Sequence, residues 1–213
     1  MGVKGELAIA FMRAPEKGRV KTRLAKGVGE EKALIWYQIF SLHMLSVMEA
    51  SSFPFCIHFC PPEGEELLRE WLGDHEFIPQ VSGDLGARMA EAFTHAFEQG
   101  YSRVVLVGTD VPGAKVGHFN QAFAALKQGD AVIGPSLDGG YWLIGFTASA
   151  FDPHIFSSME WGHPRVGEIT RARLAEKKLS VSLLSPLGDV DTLSDLQAFY
   201  PHPVLVEDED SGG

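Results

Sequence analysis

The run Arg103-Val104-Val105-Leu106-Val107-Gly108-Thr109-Asp110-Val111-Pro112 constrains this chain more than any other segment. Four consecutive apolar residues, three of them β-branched, read as a strand buried on both faces, as in a parallel sheet. The strand must stop soon after: Gly108 permits close backbone approach, and Pro112 cannot extend the ladder. Asp110 therefore falls just past the strand's carboxyl end. Ligands of open α/β sheets bind along that edge, which makes Asp110 a candidate ligand for a metal or a substrate, the plain alternative being an Asp turn that caps the next segment.

The rest of the chain supplies the alternation such a sheet requires. Further strands are expected at 7–12, 53–60, 131–134, 141–146 and 181–184, and helices at 30–50, 63–72, 86–99, 117–127, 164–178 and 191–199. In the first of these helices Trp36, Tyr37, Phe40, Met44, Leu45 and Met48 recur near helical spacing, and Met89, Phe93 and Phe97 stand four apart in another. The expected fold class is α/β: a three-layer α/β/α sandwich with a mainly parallel central sheet. Among 213 residues there is no repeat or linker, so 1–206 is expected to be one domain and 207–213 a disordered acidic tail.

Charge and composition narrow the partners. The net charge of −10, four negatives of which lie in 207–210, argues against nucleic-acid binding. No apolar run approaches the roughly 18 residues of an integral membrane segment, and the amino terminus lacks a signal peptide's apolar stretch; a cytoplasmic location is expected. A homodimer is compatible with the composition. Cys56 and Cys60 share a strand face too far apart to bridge and are expected to be buried thiols. The eight histidines show no HxxxH or HxH pair, which disfavours a histidine-built zinc site.

Positive charge, by contrast, is concentrated. Arg13, Lys17, Arg19, Lys21, Arg23 and Lys26 are six of the 18 basic residues, interrupted by the single acid Glu16. A cationic loop leaving the first strand suits a diphosphate or triphosphate, through charge-assisted bonds and a helix start beyond. The GxxxxGK[ST] and GxGxxG patterns are both absent, which removes the main support for ATPase and dinucleotide readings. The plain alternative is a solvated basic loop.

Four other stretches carry candidates, each with a structural alternative. Asp84 and Arg88, in the glycine-flanked Gly83-Asp84-Leu85-Gly86, could face a base or ribose, or Asp84 could simply cap the next helix. Asp138, Gly139, Gly140 and Tyr141 follow another strand end and could receive a substrate, or form a hairpin turn. Asp189 and Asp191 lie at i and i+2 on an extended segment, and Asp191 could also cap the final helix; if the segment returns to the ligand edge, Asp110 and Asp191 could share one Mg²⁺ or Mn²⁺. Trp161 is a candidate acceptor wall and His163 a candidate base, against a packed indole and a loop histidine.

Taken together, Lys21-Thr22-Arg23-Leu24, Gly83-Asp84-Leu85-Gly86-x-Arg88-Met89, Gly108-Thr109-Asp110-x-Pro112, the Gly134–Gly145 stretch with Asp138-Gly139-Gly140-Tyr141, and Asp189-Val190-Asp191-Thr192 resemble the bacterial glycosyltransferase-like family DUF2064 of the nucleotide-diphospho-sugar transferase superfamily. The resemblance spans about residues 7–200. It implies a GT-A-like fold with an amino-terminal nucleotide half and a carboxyl-terminal acceptor half. It further implies Asp110 as the metal-binding acid and Asp191 as a second ligand. The Lys21–Leu24 stretch is also similar to that of phospholactate and phosphoenolpyruvate guanylyltransferases. The chain departs from sugar nucleotidyltransferases in lacking Gly-x-Gly-Thr-Arg, and from many glycosyltransferases in having Thr-Asp-Val for Asp-x-Asp.

The leading expectation is a transferase moving a sugar from a nucleotide-activated donor to a small-molecule acceptor with Mg²⁺ or Mn²⁺. Asp110 and Asp191 would hold the metal, and Arg13, Lys17, Lys21 and Arg23 the phosphates. Asp84 and Arg88 would meet the nucleoside. Gly139, Gly140, Tyr141 and Trp161 would meet the acceptor, with Asp138 or His163 as base. The alternatives are a nucleotidyltransferase joining an NTP to a small phosphorylated acid, and a nucleotide-binding module without turnover.

Overall fold

A computed structural model describes residues 4–201; residues 1–3 and 202–213, which include the expected acidic tail, lie outside the described residues. In chain order the elements are β1 (Lys4–Arg13), α1 (Thr22–Val28), α2 (Glu30–Glu49), β2 (Phe55–Cys60), α3 (Glu65–Leu72), β3 (Phe77–Pro79), α4 (Leu85–Glu98), β4 (Tyr101–Gly108), α5 (Val116–Leu126), β5 (Ala131–Pro135), β6 (Tyr141–Thr147), α6 (Val166–Glu176), β7 (Val181–Leu183) and α7 (Leu193–Phe199). Short 3₁₀ turns lie at Pro62–Gly64 and Pro153–Phe156.

The seven strands form one sheet in the order β3-β2-β1-β4-β6-β5-β7. Among the described strands only β6 is reversed: it runs antiparallel to β4 and β5, while the other neighbouring pairs are parallel. The carboxyl ends of β1, β2, β4 and β5 consequently share one edge with the start of β6. The chain builds outward from β1 through β2 to β3, then returns to lay β4 on the other side of β1. That reversal opens a crevice between the ends of β1 and β4, where α/β sheets receive ligands.

The side-chain period of two explains the two cores. Leu7 and Ile9 of β1, with Val104 and Leu106 of β4, pack under Met89, Phe93 and Ala96 of α4. Ala8 and Ala10, with Val105 and Val107, face Met44 and Met48 of α2 and Phe119 and Phe123 of α5. Burial on both faces is what the continuous apolar run of β4 demands; each fully buried Phe or Leu contributes on the order of 1.5–3 kcal/mol. A smaller cluster joins Leu24 of α1, Trp36 and Phe40 of α2, Leu196 of α7 and Val190. It matters for the site, because it fixes both the exit of the basic loop and the segment holding Asp189 and Asp191.

Every expected strand and helix is present, with ends shifted by a few residues. The α/β sandwich with a mainly parallel sheet is therefore the fold of this chain. Three short pieces escaped sequence periodicity: α1, β3 and the 3₁₀ turn at Pro153–Phe156. They are too short for a hydrophobic period to register. Cys56 is buried as expected, but Cys60 is only half-buried, since β2 ends there and Arg88 Nη1 approaches its sulfur at 3.6 Å. Helix α7 is capped by Thr192, whose hydroxyl accepts from the Asp195 N–H; Asp191 is thereby left for other work.

Candidate functional site

Asp110 stands two residues beyond β4, and its carboxylate folds back over the strand end. A Cβ at Gly108 would lie 3.0 Å from Asp110 Oδ1, so the glycine makes room for the acid. On the neighbouring strand, the Tyr37 hydroxyl accepts from the Arg13 N–H at 2.8 Å and donates to the Arg13 carbonyl at 2.7 Å. Burial pushes this phenol up to about 12, so it remains a protonated tether for the end of β1.

Beyond β7 the chain runs beside the end of β5. Leu187 N–H donates to the Pro135 carbonyl, and Leu137 N–H to the Leu187 carbonyl. Ser136 Oγ donates to Asp189 Oδ1 at 3.0 Å, and Val190 N–H to the Asp110 carbonyl at 3.2 Å. These bonds carry Asp189 and Asp191 across the sheet edge to Asp110. One carboxylate oxygen from each of the three acids lies within 4.8 Å of the others. Two opposite ligands of one Mg²⁺ stand about 4.2 Å apart, at about 2.1 Å each. Three hard oxygen donors this close fit a divalent cation after small rotations. Burial, then the charges of Asp110 and Asp138, raise the carboxyl of Asp189 above its ordinary range, as expected of like charges awaiting a cation.

A cation of the chain's own already reaches this group. Lys21 Nζ donates to Asp110 Oδ2 at 2.8 Å and to Asp191 Oδ1 at 2.7 Å, with its side chain 6% exposed. Burial disfavours the ammonium, but the two carboxylates outweigh it and raise the lysine above its usual value. Lys21 adopts φ +45, a left-handed conformation uncommon for a residue with a Cβ, at the N-cap of α1. Arg23 Nη1 lies 3.4 Å from Asp191 Oδ2. Around these groups a cavity of about 330 Å³ is lined by Arg13, Arg19, Lys21, Arg23 and the acids Asp110 and Asp191, with Tyr37 in its wall.

A second cavity, of about 220 Å³, shares Gly108 and Asp110 with the first. Asp138, Asp189, Tyr141, Trp161 and His163 line it. The hairpin reading of 136–140 holds: β5 and β6 pair antiparallel across that loop, and Gly140 N–H donates to Asp138 Oδ1 at 2.9 Å. Gly139 (φ +94) leaves room for protein, since a Cβ there would come within 1.9 Å of the Pro164 carbonyl oxygen. Gly167 N–H donates to the Gly139 carbonyl at 2.9 Å, docking the loop on α6. His163 Nδ1 accepts from the Arg165 N–H at 3.2 Å. In the neutral ring the proton then sits on Nε2, so His163 can donate into the cavity but is poorly placed to accept. Asp138 is exposed and acceptor-only when ionised. Burial pushes the Tyr141 hydroxyl far up, which excludes a role as base.

The structure thus brings Arg13, Lys21, Arg23, Asp110 and Asp191 into one cavity and Asp138, Gly140, Tyr141, Trp161 and His163 into the adjoining one. Four other candidates stand apart, Gly139 among them, which lines neither cavity and packs against Pro164. Lys17 pairs with Glu31 at 2.5 Å on the surface. Asp84 caps α4, its Oδ1 accepting from the Ala87 N–H at 2.8 Å. Arg88 donates to the Gly83 carbonyl at 3.0 Å, reinforcing the same helix start. Asp189 and Arg19 were not singled out as site residues. From the sequence Asp189 stands out only for its i, i+2 spacing with Asp191, which puts alternate residues of an extended segment on one side, and the structure adds it to the acids beside Asp110.

A family model described as an uncharacterized protein conserved in bacteria (DUF2064) matches residues 44–163. A solved structure from Desulfovibrio desulfuricans G20, provisionally assigned as a nucleotide-diphospho-sugar transferase, is 38% identical, with a TM-score of 0.88 over 92% of this chain and 86% of that one. At 9% identity, a CMP:2-keto-3-deoxy-manno-octonic acid synthetase complexed with CTP gives a TM-score of 0.59 over 92% of this chain and 97% of its own. A manganese complex of Rv0371C from Mycobacterium tuberculosis, 14% identical, gives 0.56 over 92% and 98%. The last two likenesses concern the fold. No curated protein matches the chain.

Proposed function

The chain belongs to the DUF2064 family, and from that premise we propose that it is a transferase using a nucleotide-diphospho-sugar donor with a divalent cation, Mg²⁺ or Mn²⁺. One observation carries this reading: a cavity with four basic side chains opens directly onto a cluster of three carboxylates, at the switch point of a mainly parallel sheet. A basic pocket alone would suit any anion, and an acidic cluster alone would suit any cation. Their contact suits a diphosphate chelated to a metal.

In this reading Asp110, Asp189 and Asp191 hold the cation, which when bound offsets the charge that grows on the leaving diphosphate. Arg13, Arg19 and Arg23 contact the phosphate oxygens through charge-assisted bonds. Lys21, which bridges Asp110 and Asp191, would instead offer its ammonium to the phosphates from the same loop once those carboxylates held the ion. The second cavity receives the acceptor beside Asp110. Asp138 takes the acceptor hydroxyl proton, while His163 Nε2 donates a hydrogen bond that orients the acceptor.

Nucleotidyl transfer is the second reading, favoured by the fold likeness to a CTP-bound synthetase. The test is a ³¹P NMR assay of the purified chain with Mn²⁺ or Mg²⁺, offering nucleotide sugars and NTPs in separate reactions. Nucleoside diphosphate from a sugar nucleotide is the expected product, lost in Asp110→Asn. Pyrophosphate from an NTP would replace the first reading by the second. A third outcome, binding seen as a thermal shift with no turnover of either donor class, would leave only a binding module.

A further inference from the structure

The two adjoining cavities carry opposite charge. Among the described residues four basic side chains line the first, whereas the second has Asp110, Asp138 and Asp189 and neither Lys nor Arg. Val166 of α6 lines this cavity, and the arginines at the start of that helix and along it are engaged elsewhere, Arg171 donating to the Gly167 carbonyl at 3.3 Å. Arg165 makes a two-pronged pair with Glu168 at 3.0 and 3.1 Å, and Arg173 donates to the carbonyls of Ile155 and Ser157 at 2.8 and 2.7 Å. A divalent cation on the acids would offset part of this charge, but the donor's diphosphate would restore it. A phosphorylated or carboxylated acceptor entering the second cavity therefore meets three carboxylates, with His163 as its one described nitrogen-base partner and Lys21 already bonded to Asp110.

What the cavity does offer is an apolar wall with polar groups at its rim. The Trp161 ring is held against Phe156, centroids 6.3 Å apart, and Gly86 makes way for it: a Cβ there would fall 2.8 Å from the indole. Leu85, 42% exposed, extends the apolar wall. The carboxylate of Asp138 accepts hydrogen bonds, and the ring of His163, fixed by the Arg165 N–H, donates one. A fixed indole beside carboxylates that accept from hydroxyls is the surface on which the C–H face of a pyranose or polyol rests.

We propose that the second cavity selects an electrically neutral, polyhydroxylated acceptor, a sugar or polyol, and rejects its phosphorylated or carboxylated counterparts. The proposal rests on the transferase reading for the word acceptor, while the charge preference of the cavity stands on its lining alone. It runs against the phosphorylated small acid that a nucleotidyltransferase of the guanylyl type would require.

Saturation-transfer NMR on the full chain with Mg²⁺ and UDP or GDP tests it with matched probes: glucose against glucose 6-phosphate, mannose against mannose 6-phosphate, glycerol against glycerol 3-phosphate. At least one neutral probe is expected to bind at least about tenfold more tightly than its phosphate. Its signal should vanish in Trp161→Ala, and Asp138→Lys should shift the preference toward the phosphate. Phosphates binding as tightly as neutral probes would overturn the proposal, as would neutral probes that show no saturation or ignore Trp161→Ala. A Mg²⁺-dependent thermal shift with UDP or GDP, recorded on the same samples, separates the two readings. If that shift is present and the charge preference fails, only the acceptor inference falls. When the preference holds without any nucleotide shift, the donor site is what fails.

Discussion

Replacing Lys21 by Met removes the ammonium that bridges Asp110 and Asp191 at 2.8 and 2.7 Å, from a side chain only 6% exposed. At such distances each attraction is about 6 kcal/mol for an effective dielectric near 20, and the cost of burying the ammonium offsets much of it. The two carboxylates are 35% and 37% exposed, which places the net worth between that of a surface pair and that of a buried one, about 1–3 kcal/mol. Two opposite effects follow. Without metal, the variant holds three carboxylates near one another with less compensation, so its melting temperature should fall by about 2–12 °C. With Mn²⁺, the incoming ion no longer displaces an ammonium, so the variant should bind it about 5–150-fold more tightly than wild type. Mn²⁺ titration by electron paramagnetic resonance reads the second effect directly, and saturating Mn²⁺ should recover most of the lost stability. Nucleoside diphosphate should strengthen Mn²⁺ binding in wild type more than in Lys21→Met, since only wild type has an ammonium to hand from carboxylate to phosphate. Lys127→Met, which removes a 3.0 Å pair with Glu6, serves as the control and should leave Mn²⁺ affinity unchanged. A folded Lys21→Met protein that binds Mn²⁺ no better than wild type would refute the displacement of Lys21.

Other perturbations test separate parts of the molecule. Asp189 has its carboxyl raised by burial and by Asp110 and Asp138. Its ionised form therefore opposes folding at neutral pH, and that opposition fades as pH falls through the raised value to the ordinary carboxylate range. Asp189→Asn should accordingly be more stable than wild type at pH 7 in EDTA, lose that advantage near pH 3, and bind Mn²⁺ more weakly; denaturant titrations at both pH values check the sign. His58 is 4% exposed, and burial followed by His95 lowers its pKa to about 4. Between pH 6.5 and 4 the unfolded chain takes up a proton that the folded one refuses, a loss of about 3 kcal/mol. His58→Leu should flatten that part of the stability profile, measured by urea unfolding. Gly139→Ala places a methyl within 1.9 Å of the Pro164 carbonyl oxygen at φ +94. It should lower the melting temperature and loosen the 136–140 loop, seen as faster amide exchange at Gly167.

The sheet was legible because its signals are local. Val104–Val107 is apolar on both faces, and the stop at Gly108 follows within the same ten residues, so the position of Asp110 needed no tertiary knowledge. The reversed β6 was not legible. A strand buried on both faces shows the same apolar run in either direction, and the hairpin glycines Gly139 and Gly140 served equally well for a ligand or a turn. Asp84 shows the same ambiguity resolved by packing: its carboxylate is occupied by the Ala87 N–H.

By itself the amino-acid sequence determined the α/β alternation, the acid at the sheet edge and the basic loop leaving β1, since each is written in consecutive residues through hydrophobic period, chain breakers and charge. Only the tertiary structure decided which charges meet. Lys21 is separated from Asp110 by 89 positions and from Asp191 by 170, yet it touches both because β1 and β4 are neighbours and the segment after β7 is hydrogen-bonded back to the same edge. The division into a basic cavity and an acidic one is likewise a property of that edge, where Coulomb interactions follow distance in space and not along the chain.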